Sequence, residues 1–155
     1  MKKKPYLLDL DIQFASKALN DKWANIISKA KVKRWMIAAL LEDASITLRL
    51  VGRAESKKLN AAYRNKDYAT NVLTFPYGQA ENGGQLLADI VICLPVVEKE
   101  AKDQNKAVLS HLTHLIVHGI LHAQGFDHED DVEAEAMEAL EVAILKKLKL
   151  ANPYV

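Results

Sequence analysis

Residues 107–128 read AVLSHLTHLIVHGILHAQGFDH and contain all five histidines of this 155-residue chain. Apolar residues recur in this stretch at helical spacing, which predicts a helix over residues 107–124. Four histidines, separated by 3, 4 and 4 residues, lie on one stripe of that helix: His111, His114, His118 and His122. Gly125 then permits the left-handed conformation that ends a helix and turns the chain back.

The last two helical histidines and the one after the turn form a candidate metal site. His118 and His122 are one helical turn apart, so both imidazoles can reach one ion at about 2.0–2.1 Å. The turn can present His128 to the same ion from another direction. Three histidines with an open fourth position are typical of catalytic zinc, which activates its bound water. The spacing therefore predicts one zinc ion per chain, held by His118, His122 and His128, and a hydrolytic reaction.

Buried histidines bonded to backbone carbonyls are the alternative interpretation. For His111 and His114 taken alone we favour it, although His114 is also placed to support His118 from one turn away. The offsets of the predicted ligands match the metzincin pattern H-E-x-x-H-x-x-G-x-x-H, but Gly119 stands where that pattern has its general-base glutamate. The missing carboxylate argues against a peptidase.

The periodicity elsewhere predicts four strands and four more helices. The strands are expected at residues 6–12, 45–51, 71–77 and 85–94. The other helices are expected at about residues 20–41, at 55–63 with Leu59 and Ala62 inward, from Pro95, and at 131–148. This mixed order predicts an α+β fold: one domain over residues 1–155, with a four-stranded mixed sheet covered by about five helices.

Composition and charge narrow the function less than the histidines do. No apolar run approaches the roughly 20 residues of a membrane span, and Asp9 and Asp11 interrupt what would be a signal peptide, so a cytoplasmic location is expected. The only cysteine, Cys93, lies in an apolar run and is expected to be buried.

The net charge of +1 hides a strong asymmetry along the chain. Residues 1–66 carry 15 Lys and Arg against 6 Asp and Glu, and residues 67–155 carry 6 against 14. A face that binds a polyanion and two halves that attract each other explain the asymmetry equally well.

The segment from His118 to His128 resembles the H-G-x-L-H-x-x-G-[FY]-D-H motif of the bacterial YbeY family. The likeness covers most of the chain. Residues 59–67, 70–76 and 88–92 are similar to that family's L-N-x-x-Y-R-x-x-D, T-D-V-L-S-F-P and G-D-I-V-I segments, and residues 129–138 to its acidic C-terminal helix. Asn71, Thr74 and Ala88 stand where the pattern has Asp, Ser and Gly.

The resemblance implies a single-strand-specific, metal-dependent endoribonuclease that matures the 3′ end of 16S rRNA and takes part in ribosome quality control. It implies single-stranded RNA, especially small-subunit rRNA, as substrate, and the small ribosomal subunit and assembly factors as partners, with no membrane. Arg64 then joins His118 as a candidate catalytic residue, because a guanidinium can bind two phosphate oxygens and stabilise charge that develops at phosphorus. From the charge asymmetry we expect a basic cleft wall contributed by the first half of the chain.

Two other functions stay open. One is an RNA-binding assembly factor with a structural zinc, against which the open fourth position argues. The other is a hydrolase of small molecules or peptides, whose peptidase form Gly119 argues against. Asp127 is expected to cap a helix or to support a ligand. Three aromatic residues are candidates either for stacking on unpaired bases or for the core: Tyr63, Phe75 and Phe126.

Overall fold

A computed structural model describes residues 5–79, 85–127 and 129–154. The elements follow in the order β1 (Leu8–Phe14), α1 (Lys17–Trp23), α2 (Lys29–Ala39), β2 (Ala44–Val51), α3 (Arg53–Arg64), β3 (Val72–Gln79), β4 (Leu86–Cys93), α4 (Leu94–Asp103), α5 (Val108–Ala123) and α6 (Asp131–Lys147). The predicted α+β class is confirmed, with six helices in the described part where about five were expected. No helix in these ranges combines the length and the apolar character that a membrane span requires.

The four strands form one mixed sheet in the order β1-β2-β4-β3. β1, β2 and β4 are parallel, and β3 runs antiparallel to β4 at the edge. In the centre, Leu48 of β2 pairs with Ile12 on one side and with Ile90 on the other. Because side chains alternate between the two faces of a strand, β2 and β4 each contribute to two separate cores.

The larger core lies between one face of the sheet and the helices α2, α5 and α6. Helix α5 is its centre, since most of its residues are buried. On the other face, Val51, Leu73, Val91 and Cys93 form a smaller core. The predicted burial of Cys93 is confirmed, and this burial raises the pKa of its thiol.

The single helix predicted over residues 20–41 is wrong, because two helices occupy this region. The side chain of Ser28 accepts a hydrogen bond from the backbone N–H of Lys31 at 3.2 Å and so starts α2 as its N-cap. Trp23, the last residue of α1, and Ile27, which lies between the two helices, are both buried. The apolar residues therefore keep helical spacing through residues 24–28, although the backbone there is not part of either helix.

The inward position predicted for Leu59 is confirmed, since this half-buried residue packs against the smaller core, but the one predicted for Ala62 is wrong, because Ala62 is exposed. The fully buried residues of α3 are polar: Ser56 and Asn60. Ser56 Oγ donates to the carbonyl of Thr70 at 2.8 Å, and Asn60 Nδ2 donates to the carbonyl of Tyr68 at 2.9 Å. These bonds fix the loop that leads from α3 into β3.

Candidate metal centre

Helix α5 approaches the sheet closely at Gly119. A Cβ atom there would lie 3.2 Å from both Cγ2 and Cδ1 of Ile90, and 3.5 Å from Oγ1 of Thr74. The two distances to Ile90 are shorter than ordinary contacts, whereas the distance to Thr74 is an ordinary one. The absent side chain therefore lets the helix lie close against β4. A glutamate at this position would begin against Ile90, so the metzincin general base has no equivalent here.

This packing places two of the predicted ligands in a cleft of about 700 Å³. The cleft lies between the end of α3, strand β3, helix α5 and the segment before α6. His118, His122 and Arg64 all line it. The structure thus brings together three of the four predicted site residues, while the fourth, His128, lies outside the described residues.

The two histidines share one hydrogen-bonding arrangement. Nδ1 of His118 lies 3.3 Å from Oε2 of Glu141, and Nδ1 of His122 lies 3.0 Å from the carbonyl oxygen of Phe126. Both partners are acceptors, so each Nδ1 carries the proton and each Nε2 carries the lone pair that a metal ion requires. The two rings have centroids 6.2 Å apart. Gly125, at φ 101°, makes the predicted turn that returns the Phe126 carbonyl to His122.

Glu141 of α6, a residue that the sequence patterns did not predict, supports this arrangement from behind. Only 1% of its surface is exposed. Its Oε1 atom lies 2.6 Å from Nε2 of His114 and accepts a hydrogen bond from the Tyr154 hydroxyl at 2.9 Å. Burial alone opposes ionisation, but the hydrogen bonds from His114 and His118 outweigh it and lower the pKa of Glu141 to about 2.

Tyr154 keeps its proton in this environment. Burial, followed by the charge of Glu141, raises the pKa of the phenol. The hydroxyl is therefore protonated near neutral pH and donates a hydrogen bond to the carboxylate.

The two remaining histidines bind acids, so the expected carbonyl partners are wrong. Nε2 of His111 lies 2.9 Å from Oε1 of Glu100, and His114 contacts Glu141 as described. His111 is buried, as predicted. The expectation that His114 lies behind His118 fits the structure, since Glu141 bonds to both.

Among the described residues, no three His, Cys, Asp or Glu side chains are grouped so that they can hold a metal ion. The predicted set includes His128, which is not among them. Zinc and its three ligands therefore stay a prediction, supported by the shared orientation of His118 and His122.

Comparison with known proteins identifies the family. A family model described as Endoribonuclease YbeY matches residues 10–149. The chain belongs to the YbeY family. It is 56% identical to the endoribonuclease YbeY of Polynucleobacter asymbioticus, over 94% of this chain and 93% of the relative. With that of Janthinobacterium sp. (strain Marseille) it shares 53% identity over 96% and 95% of the two chains. The resemblance seen in the sequence, and the enzyme class that it implies, are confirmed.

The fold has a counterpart among solved structures. A solution structure of a Thermotoga maritima protein matches with a TM-score of 0.51 and 25% identity, over 90% of this chain and 91% of that one. This match agrees with the α+β architecture described above.

One departure from the YbeY pattern is explained by its surroundings. Asn71, which replaces an aspartate of the pattern, donates from Nδ2 to Oε1 of Glu100 at 3.0 Å. A second carboxylate at this position would repel Glu100, whereas the amide binds it. Glu100 in turn contacts His111 of α5, so the amide ties the start of β3 to the histidine helix.

The expected basic cleft wall is only partly present. Arg64 is the single cationic side chain among the described residues that line the cleft, and two acids, Asp127 and Glu129, line it as well. Asp127 does not cap α6, because Asp130 is the N-cap and accepts from the backbone N–H of Glu133 at 2.8 Å. The other described Lys and Arg residues of the first half do not line the cleft.

The three aromatic candidates differ in their surroundings. Tyr63 is 68% exposed and meets Phe75 edge to face, with ring centroids 5.1 Å apart. Both residues line the cleft. Phe126 packs against the larger core, in agreement with a structural role.

Proposed function

We propose that this YbeY-family chain is a zinc-dependent endoribonuclease whose single domain, residues 1–155, cleaves single-stranded RNA. The observation that carries the proposal is the pair of histidines in one cleft with Arg64. The Nδ1 atoms of His118 and His122 are both held by acceptors, so both Nε2 atoms suit a metal ion.

The donor set fits zinc. His118, His122 and His128 would hold the ion, because neutral imidazole is a favoured zinc ligand and three such ligands leave a position for water. When bound, zinc polarises that water and supplies a nucleophile near neutral pH. Glu141 and the Phe126 carbonyl contribute by fixing the orientation of two of the rings.

Arg64 is proposed to bind the phosphate that is cleaved. It is the last residue of α3, and Asn65 ends the helix in the left-handed conformation at φ 59°. The guanidinium is exposed at the cleft, where it can hold two phosphate oxygens and stabilise their developing charge.

Single-strand specificity is proposed from the exposed ring beside this arginine. Tyr63 precedes Arg64 and presents most of its surface to solvent at the cleft. An unpaired base can stack on such a ring, whereas a base inside a duplex is already stacked on its neighbours.

The biological role follows from the family. We propose that the RNA is small-subunit rRNA, that the enzyme acts in the cytoplasm during maturation of the 16S 3′ end and in ribosome quality control, and that the small ribosomal subunit and assembly factors are its partners. The confirmed membership in the endoribonuclease YbeY family supports this role.

The test combines metal analysis with cleavage of a defined RNA. We expect about one zinc per chain in the wild type, largely lost in His118→Ala and in His128→Ala. His111→Gln, in the same helix but bonded to Glu100, is the matched control and should keep its zinc. An end-labelled single strand should be cleaved, and the same strand annealed to its complement should be spared.

Two outcomes would contradict the proposal. Full zinc occupancy in both alanine variants would refute the ligands. One zinc per chain without cleavage by rigorously purified protein would favour the RNA-binding factor with a structural metal.

A further inference from the structure

The C-terminal segment reaches the metal centre through one hydroxyl group. The Tyr154 hydroxyl donates to Oε1 of Glu141 at 2.9 Å, and the other oxygen of this carboxylate, Oε2, lies 3.3 Å from Nδ1 of His118. We propose that Tyr154 is a positioning residue of the metal centre, which fixes the Glu141 carboxylate so that His118 presents Nε2 to the metal. This inference rests on the proposed zinc site and adds to it a residue 36 positions away in the chain.

The segment that carries Tyr154 is held in place by other contacts. Lys106 Nζ donates to the carbonyl of Pro153 at 2.8 Å, and Leu150 packs against the larger core. The backbone N–H of Tyr154 donates to Oδ1 of Asn152 at 2.8 Å. The hydroxyl is therefore directed at Glu141 by an ordered backbone, and the carboxylate is not what holds the segment.

The tyrosine ring also packs against the histidine that shares its acceptor. The rings of Tyr154 and His114 meet edge to face, with centroids 5.4 Å apart and planes at 85°. The hydroxyl and Nε2 of His114 both lie against Oε1 of Glu141, at 2.9 and 2.6 Å. Two groups on one oxygen fix the rotation of the carboxylate, and this rotation determines where Oε2 points.

The orientation of the carboxylate matters for His118 because a hydrogen bond is directional. A carboxylate that turns away from Nδ1 leaves the imidazole without the bond that selects its tautomer. Groups that orient metal ligands in this way typically contribute a factor of about 10–100 to metal affinity. Tyr154 binds Glu141 and not His118 itself, so its contribution to metal affinity should lie near the lower end of this range.

The zinc dissociation constant, measured by competition with a chelator, tests the inference without RNA. We expect Tyr154→Phe to weaken zinc binding by a factor of about 10, and Glu141→Gln by about 10–100. Tyr77→Phe is the matched control, because it removes a hydroxyl that also donates to a carboxylate, Oδ2 of Asp89 at 2.8 Å, away from the cleft. It should bind zinc as the wild type does.

The double variant separates positioning from a general structural role. If Tyr154 acts through Glu141, adding Tyr154→Phe to Glu141→Gln should weaken zinc binding little further, so the two effects are not additive. Since 47% of Tyr154 is exposed, its phenylalanine variant is expected to fold, which a thermal melt of the metal-free protein checks. If Glu141→Gln does not fold, the comparison of Tyr154→Phe with Tyr77→Phe decides alone.

Failure of the role of Tyr154 can be distinguished from failure of the proposed zinc site. A Tyr154→Phe protein that folds and binds zinc as tightly as the wild type would overturn the positioning role and leave the zinc site intact. Additive effects in the double variant would also overturn it. A wild-type protein that binds no zinc would overturn both the metal centre and the inference.

Discussion

At the scale of single residues, the side chains that line the cleft are positioned by hydrogen bonds from other parts of the chain. Arg64 ends α3, and the loop after it is fixed by Ser56 and Asn60, which bind the carbonyls of Thr70 and Tyr68. His118 depends in the same way on Glu141, 23 residues further along. The surroundings of Arg64 and His118 therefore depend on buried polar side chains: Ser56, Asn60 and Glu141.

Arg64 separates a nuclease from a protein that only binds zinc. We expect Arg64→Ala to lower RNA cleavage by a factor on the order of 10² or more at saturating RNA, because a charge partner of the transition state is lost. Arg64→Lys should recover only part of the rate, since a point charge does not reproduce bidentate binding. Zinc content and thermal stability should be unchanged.

The control for this prediction comes from the same helix. Arg53 is exposed at the opposite end of α3 and does not line the cleft. Arg53→Ala should cleave at the wild-type rate. Equal rates for the wild type and for the alanine and lysine variants at position 64 would remove Arg64 from the mechanism.

The sequence predicted the residues that line the cleft better than the residues that support them. His118, His122 and Arg64 follow from spacing and family likeness, and they share a cleft. The sequence indicates Glu141 less clearly. It is an acid four residues after Met137, on the buried side of α6 that also includes Ile144 and Leu145. An acid on an apolar stripe indicates a buried partner, but the partner depends on how α6 packs against α5, which periodicity does not determine.

At the scale of elements, the position of α5 against the sheet determines where the histidines lie. At Gly119 the helix lies so close to β4 that an added Cβ would be 3.2 Å from Ile90. The break between α1 and α2 shows that apolar periodicity does not locate helix ends. Trp23, Ile27 and Trp35 are spaced as in one continuous helix, although a second helix begins after Ser28. Apolar spacing reports which residues are buried, and the capping residue reports where the helix begins.

Gly119→Leu tests the helix–sheet contact. We expect a free energy of unfolding lower by about 1–3 kcal/mol or more, because the added side chain overpacks the space occupied by Ile90. Leucine is a strong helix former, so helix propensity would act in the opposite direction. Urea denaturation measures the change.

A second glycine provides the comparison for this variant. At Gly52, the N-cap of α3, a Cβ would meet nothing within 4 Å, so Gly52→Ser should leave stability unchanged or slightly raised. A Gly119→Leu protein as stable as the wild type would show that α5 does not approach β4 closely at this residue.

At the scale of the whole molecule, the charge asymmetry has two parts. One joins the halves of the chain, as in the ion pair between Lys22 and Glu98 at 3.1 Å. The other is left on the surface of α2, where four exposed cations form no ion pair with a described residue: Lys29, Lys31, Lys33 and Arg34. Attraction between the two halves is therefore observed, whereas a polyanion-binding face on α2 stays a prediction.

The salt dependence of RNA binding shows whether the second part serves the substrate. The end of α2 meets the end of α5, where Gln124 Nε2 donates to the carbonyl of Ala39 at 2.9 Å, so α2 adjoins the helix that carries His118 and His122. For single strands, each neutralised phosphate contributes about −0.7 to the slope of log affinity against log salt. Arg64 alone would give a slope near −0.7, and we expect about −3 if α2 also binds the backbone. Replacing Lys31, Lys33 and Arg34 together by glutamine should then flatten the slope by about 2.

The control replaces Lys17 and Lys99, whose charges are already engaged by Asp21 and Asp103. If the triple variant keeps the wild-type slope, α2 presents a solvated helix face, and RNA binding is confined to the cleft.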